Sequence, residues 1–330
     1  MSAEDHPTGG PTGGPSSDDS RRSDGRGRLE SDTELGIERL VEDPMLHEPV
    51  LVVMLQGWID ATGAAATAAD EIANDCSASP IVRFDDDMYI DYRARRPIME
   101  LRNGINTDLV WSTIQLSAGT SSNGRDLLLL TGPEPDMAWH RFGRAMSALA
   151  EDFGVTQMIA FGSYPFAAPH TRPPRLSVSS PSTEVLAKVD FARSSVDVPA
   201  GMAAALEHAM HAMKIPAMGI WVQVPHYITA MDYPAASVAL LDGFTEVTGI
   251  DIEAAELRTD VVTQRTRLDR MVGDNAEHES MLHQLETIFD AAIEQEQAAA
   301  DGLDVDDSEI EPVSGDELAA EIQKFLRDQK

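Results

Sequence analysis

The chain changes its hydrophobic period as it runs. Apolar runs at 50–55, 81–84, 109–116, 127–130, 158–161 and 219–224, most of them closed by Gly or Pro, predict central strands. Apolar residues at helical spacing fill the gaps at 61–76, 137–153, 201–213 and 234–248. Strand followed by helix, repeated, predicts an α/β fold with a mostly parallel sheet covered by helices. Two further helical stretches, 252–271 and 276–299, align Met281, Leu285, Ile288 and Ala292 in one stripe. They predict a C-terminal helical hairpin laid against the body or a neighbour.

The ends read differently. Residues 1–28 mix Gly9, Gly10, Pro11, Gly13, Gly14 and Pro15 with serines and both charges. That is too little apolar surface to offset chain entropy, so a disordered tail is expected over 1–36, followed by a single α/β domain over 37–299. From 294 to 321 there are eleven acidic side chains and no Lys or Arg, which predicts an extended acidic linker at 300–313. Beyond it Ser314 and Glu317 have capping-box spacing, and Leu318, Ile322, Phe325 and Leu326 share one helical face. A short amphipathic helix is expected over 314–330.

Charge narrows the partners. With 56 acidic against 25 basic side chains in 330 residues, the net charge of −31 argues against nucleic acid. No apolar run approaches the roughly 18–20 residues needed to span a bilayer, and the N-terminus lacks a basic-then-apolar layout. The expectation is a cytoplasmic protein with no membrane contact. Cys76, the one cysteine, can form no internal disulfide and supplies no thiolate cluster for zinc.

In open parallel sheets ligands sit beyond the carboxyl ends of the strands, so the residues there are the first candidates for chemistry. They are Gln56-Gly-Trp-Ile-Asp60, Thr131-Gly-Pro-Glu-Pro-Asp136, Gly162-Ser-Tyr-Pro165 running on to Pro169-His-Thr-Arg172, and Pro225-His-Tyr227. Converging, they would line a crevice for a small polar ligand with Trp58, Asp60, Glu134, His170, Arg172, His226 and Tyr227. The competing reading is that Asp60 and Asp136 cap the helices after them while Gly and Pro turn the chain. Ser163 with His170 or His226 is the one candidate for nucleophilic catalysis, but its surroundings lack the second glycine of a nucleophile elbow and place Pro165 where a helix should start. His208 and His211 have no carboxylate-rich partner motif, and 57–63 lacks the Lys-Ser/Thr of a phosphate loop. No catalytic residue, metal ligand or cofactor is assigned.

The densest charge lies at 83–97, where four aspartates and four arginines surround two tyrosines. Read as an edge strand over 88–92, it would point Tyr89 and Asp91 one way and Ile90 and Tyr92 the other. Tyr89, Asp91, Tyr92, Arg93, Arg95 and Arg96 are then candidates for a subunit contact, with an internal salt-bridge network as the alternative.

Taken in order, Gln56-Gly-Trp-Ile-Asp-Ala61, the segment 84–97, Gly132-Pro-Glu-Pro-Asp136 with Trp139, Pro169-His-Thr-Arg-Pro173, Val198-Pro-Ala-Gly201, Val224-Pro-His-Tyr227 and Tyr233-Pro-Ala-Ala236 resemble the proteasome assembly chaperone 2 family in its actinobacterial form. The resemblance covers about residues 45–290. It implies an α/β sandwich similar to the purine nucleoside phosphorylase-like fold, a homo-oligomer, by analogy a trimer, and a role in assembling proteasome core particles. Relatives that dock on the proteasome do so through a C-terminal tail with a penultimate tyrosine, whereas this chain ends Arg327-Asp-Gln-Lys330. Two expectations result. One is a non-enzymatic, oligomeric assembly or binding protein whose contacts include 89–96 and Leu318, Ile322 and Phe325, with proteasome subunits or another cytoplasmic protein as partner. The other is a protein that binds, or hydrolyses, a nucleoside-like or phosphorylated ligand in the crevice.

Overall fold

The computed structural model describes residues 31–228 and 230–300. The acidic linker, Leu318, Ile322 and Phe325 lie outside the described residues, as does the tail up to residue 30. Among the described residues, eight strands form one sheet in the order β1-β3-β6-β7-β2-β8-β10-β9. They are β1 (Ile37–Arg39), β2 (Val50–Gln56), β3 (Ser79–Phe84), β6 (Gln115–Thr120), β7 (Asp126–Pro133), β8 (Gln157–Phe166), β9 (Leu176–Ser179) and β10 (Ala217–Pro225). A separate ribbon pairs β4 (Ile98–Arg102) with β5 (Ile105–Val110).

The parallel part is the centre. β2 runs between β7 and β8, with Val50 opposite both Leu127 and Gln157, and β10 continues alongside β8. On the outer flanks β1, β3 and β6 are antiparallel to their neighbours, as is β9 to β10. The sheet is therefore mixed rather than mostly parallel. The antiparallel strands are those whose apolar runs are short or broken, as expected of flanking strands that need not be buried on both faces. The 109–116 stretch is two elements rather than one central strand: it ends the exposed β5, bends at Trp111–Thr113, and enters β6.

Central strands buried on both faces need two layers of helix. On one face Val52, Leu129, Ile159 and Ile220 pack against α1 (Ala64–Asp75) and α4 (Pro234–Thr248). α1 presents Ala65, Ala68 and Ala69, small enough to lie close to α4, with Ile72 filling the gap. On the other face Leu51, Leu128 and Ala160 meet α2 (Trp139–Phe153) and α3 (Met202–Ala212) through Phe142, Met146, Leu206 and Met210. The C-terminal helices α5 (Ala255–Gly273) and α6 (Ala276–Ala300) pack on each other, and α5 packs on α4.

Two further positions depart from the sequence expectation. Residues 86–89 form a one-turn helix rather than an edge strand, because Asp85 caps it, its carboxylate accepting the Asp87 N–H at 2.9 Å. Tyr89 is consequently turned into the core, edge-on to Phe142 at 5.2 Å, with its hydroxyl donating to the Leu35 carbonyl. Residues ahead of Ile37 also take part in the body. Asp32 is buried and accepts from Arg39 Nε at 2.7 Å, while the same guanidinium reaches Asp43 and, at 2.6 Å, Asp152 at the end of α2.

Where β7 leaves the sheet, Gly132 has φ +117, and a Cβ there would lie 2.3 Å from the Thr113 carbonyl oxygen. Both strain and backbone overlap oppose a side chain. Gly132→Ala should lower the unfolding free energy by about 1–3 kcal/mol or more, measured by urea titration.

Candidate functional site

Hydrogen bonding sorts the loop residues beyond the strands into two groups. In the first, Asp60 follows β2 and plugs the start of α1. Its two oxygens accept the N–H groups of Ala65 and Ala66 at 2.9 and 3.1 Å, and the Ser163 hydroxyl lies 2.7 Å away. Ser163 is fully buried and also 2.8 Å from the Ala61 carbonyl, so its contacts are with Asp60 and the backbone. Glu134, after β7, accepts the Met202 N–H at 3.0 Å and caps α3. Burial raises its pKa, opposed by that N–H and by Arg95.

Arg95 ties the group together. Its Nε lies 3.0 Å from Asp136, which also accepts the Asp91 N–H at 3.0 Å and so anchors the charged segment rather than capping a helix. The guanidinium closes over Gly57, where a Cβ would be 2.5 Å from Nη2. Trp58 lies against Gly201 in the same way and belongs to a small aromatic cluster with Ile59, Tyr164, Phe166 and Trp221. Of the other charged-segment residues, Tyr92 stacks edge-on against Trp111 at 4.8 Å, and Arg93 and Arg96 are exposed.

The second group is a loop held by the C-terminal helices. His170 is buried between Tyr227 and α5. The Tyr227 hydroxyl accepts the His170 N–H and lies 2.7 Å from Nδ1, and Nε2 faces Asp269 at 3.2 Å. A hydroxyl that donates to Nδ1 leaves the ring proton on Nε2, aimed at the carboxylate. Burial lowers the His170 pKa, with Asp269 opposing it, and pushes Tyr227 up to about 12. Arg172 forks onto Asp290 at 2.8 and 2.6 Å and onto Glu286 at 3.2 Å, while Thr171 donates to Glu286. Arg175 lies over the Phe289 ring at 6.0 Å. His226 sits 3.3 Å from the Phe166 carbonyl and edge-on to Tyr227.

One buried polar set was not anticipated. Glu207, on α3, is 4% exposed and accepts from Ser179 at 3.2 Å, and Ser179 in turn accepts from the Trp221 indole. Nearby, Tyr164 bonds Ser177 and Gln223. The signal was a single carboxylate inside Met202-Ala-Ala-Ala-Leu-Glu-His-Ala-Met210, otherwise an apolar helix face. Among the described residues no group of three or more His, Cys, Asp or Glu could hold a metal, and no helix is long and apolar enough to cross a membrane.

The chain thus has a mixed α/β sheet covered on both faces, with several of its loop carboxylates and cations engaged in joining its own elements. The chain belongs to the PAC2 family, which it matches over residues 54–272. It is similar to the unknown-function protein Rv2714 of Mycobacterium tuberculosis, with 31% identity and TM-score 0.75 over 89% of this chain and 96% of that one. A Corynebacterium glutamicum protein of unknown function shares 27% identity, with TM-score 0.74 over 79% and 99% of the two chains. The M. tuberculosis proteasome-assembly chaperone homologue Rv2125 shares 28%, with TM-score 0.66 over 71% and 99%. No curated protein matches the sequence.

Two predictions follow from the titratable groups. Burial lifts the Glu207 carboxyl to about 8, above its ordinary 4.5, so the folded chain binds a proton that the unfolded chain releases as pH rises between those values. Glu207→Gln should therefore match wild type near the lower value and exceed it by at least ~1 kcal/mol above the upper one, read from thermal melts across pH. The second group shifts oppositely. His170 is held below 6.5, the Thr171 hydroxyl and neighbouring cations depress Glu286, and Arg172 depresses Asp290, so each contribution is lost on acidification, first below 6.5 and then through the carboxylate range. Hydrogen-exchange protection in α5 and α6 should fall selectively between about pH 7 and pH 4, and Arg172→Ala should lower it already at neutral pH.

Proposed function

We propose that this chain is a non-enzymatic, oligomeric protein-binding protein of the assembly-chaperone kind, working in the cytoplasm with proteasome core subunits as its partner. The observation that carries the reading is the state of the loop chemistry. Asp60 and Glu134 cap helices, Ser163 hydrogen-bonds to Asp60, and His170 and Arg172 hold α5 and α6 in place. Each polar group a ligand crevice would need already serves the fold, which supports assembly over small-molecule binding or hydrolysis. Family membership supports it further, through the relative described as a proteasome-assembly chaperone homologue. The purine nucleoside phosphorylase-like architecture and a trimeric state belong to the same proposal.

The test is affinity capture from the native cytoplasm with the full chain and with a chain ending at residue 300, followed by mass spectrometry. Core-particle subunits should be retained by the full chain and by Arg172→Ala. Their absence from the full-chain capture would remove the proteasome from the reading. Retention by the full chain with loss from the shortened one would assign the contact to residues 301–330.

A further inference from the structure

On a chain that is strongly acidic as a whole, exposed cations gather at one place. The turn 91–96 is closed by the Ala94 and Arg95 N–H groups, which both donate to the Asp91 carbonyl at 2.8 Å. It is tied to the segment leading into α2. Arg95 Nε lies 3.0 Å from Asp136, and the Asp136 N–H donates to the Tyr89 carbonyl at 2.9 Å. Arg141 and Arg144, on the first two turns of α2, lie near enough to Tyr89 for their charge to oppose the burial that raises its pKa. Turn and helix thus bring Arg93, Arg96, Arg141 and Arg144 to one surface, each of them exposed, with Met137 43% exposed beside them. Among the described residues none of these four arginines makes an ion pair. The two carboxylates that join turn to helix are already engaged, Asp136 by Arg95 and Asp91 by the Arg93 N–H at 2.9 Å. Cations left together in this way repel one another and gain from an acidic partner.

We propose that this basic surface is the docking site of the chain's own acidic segment 301–317, which lies outside the described residues. Three observations select that occupant. The first is charge: residues 301–317 carry eight carboxylates and no Lys or Arg. The second is pattern. Leu303, Val305 and Ile310 are interspersed with those carboxylates, which suits a surface where Met137 sits beside arginines. The third is reach. α6 is held at the carboxyl edge of the sheet, where Arg172 forks onto Asp290 and Arg175 lies over Phe289. The basic surface follows β7 at that same edge, four strand spacings from β9, or roughly 19 Å. The rest of α6 beyond Asp290 adds about 15 Å, and residues 301–317 span about 56 Å when extended. A segment tethered within reach is present at about millimolar effective concentration, ahead of any free acidic protein. An acidic partner therefore gains the surface only by displacing the tail, and displacement in turn gives up residues 301–330 for contacts of their own.

The test uses the full chain. Arg141→Lys with Arg144→Lys keeps the charge and supplies amines at exposed positions. A carbodiimide then joins such an amine to a carboxylate in contact with it, forming an amide while the reagent takes up the water as its urea. In a mixture of unlabelled and nitrogen-15-labelled chains, mass spectrometry should find position 141 or 144 linked to carboxylates of 301–317 within one chain, with a yield that falls severalfold as added salt screens the charges. The unaltered arginines give a second reading. Asp304→Asn, Asp306→Asn, Asp307→Asn and Glu309→Gln together should speed trypsin cleavage after Arg93 by about fivefold or more, and leave cleavage after the exposed Arg193 unchanged. Links that join differently labelled chains give the surface to a second copy and overturn the proposal. Links only to residues 1–30 or to the body, or none, overturn it equally, as does an unchanged rate of cleavage after Arg93. Proteasome subunits enter neither readout, so the proposal stands or falls independently of the capture experiment.

Discussion

Four parallel strands buried on both faces impose most of what surrounds them. β7, β2, β8 and β10 cannot leave either surface to water, so α1 and α4 cover one face and α2 and α3 the other. The strands all point the same way, so their following loops crowd one edge of the sheet. There the chain must start several helices with backbone N–H groups that lack partners. Asp60 and Glu134 answer that demand from positions that a ligand site would also use. The polarity of this edge is thus first a requirement of the architecture.

The remaining polar loop, 169–172, solves a different problem. α5 and α6 carry an unusually polar sequence, and among the described residues few of theirs, Leu257, Leu268, Val272, Leu282, Leu285 and Phe289, are buried. Directional contacts add to that thin apolar seam: the Arg172 fork onto Asp290 and Glu286, Thr171 onto Glu286, and His170 onto Asp269. Exposed ion pairs hold weakly in water. His170, fully enclosed, with its orientation fixed by Tyr227, is the firmer part of the latch.

Much of this was legible in the chain. The runs at 50–55, 127–130, 158–161 and 219–224 named all four parallel strands, and Pro at the first helical position marked α4 to the residue. Asp60 was readable as a cap because a carboxylate preceded an alanine-rich helical stretch. The reading stumbled where local signal and tertiary context disagreed. Tyr89 alternates like a strand residue, yet Asp85 starts a helical turn and the Phe84–Phe142 cluster draws the ring inward. The 109–116 run joined two elements because an apolar, exposed ribbon has the same composition as a buried strand. The Asn103-Gly104 pair was the signal that the chain before and after it forms a hairpin. Arg172 looked like a ligand-binding cation because its partners lie more than a hundred residues away, a separation no local pattern encodes.

The position of β2 also matters to the history of each molecule. It leaves the ribosome before either of its neighbours, since Val50 pairs with Leu127 on one side and Gln157 on the other. At typical synthesis rates its second neighbour emerges roughly 5–20 s after it does. Throughout that interval Val50-Leu-Val-Val-Met-Leu55 is a sticky, unpaired segment on a nascent chain. A protein organised around a strand made well before its partners therefore carries an aggregation hazard before it is finished, and its cellular yield depends on what shelters that segment during translation.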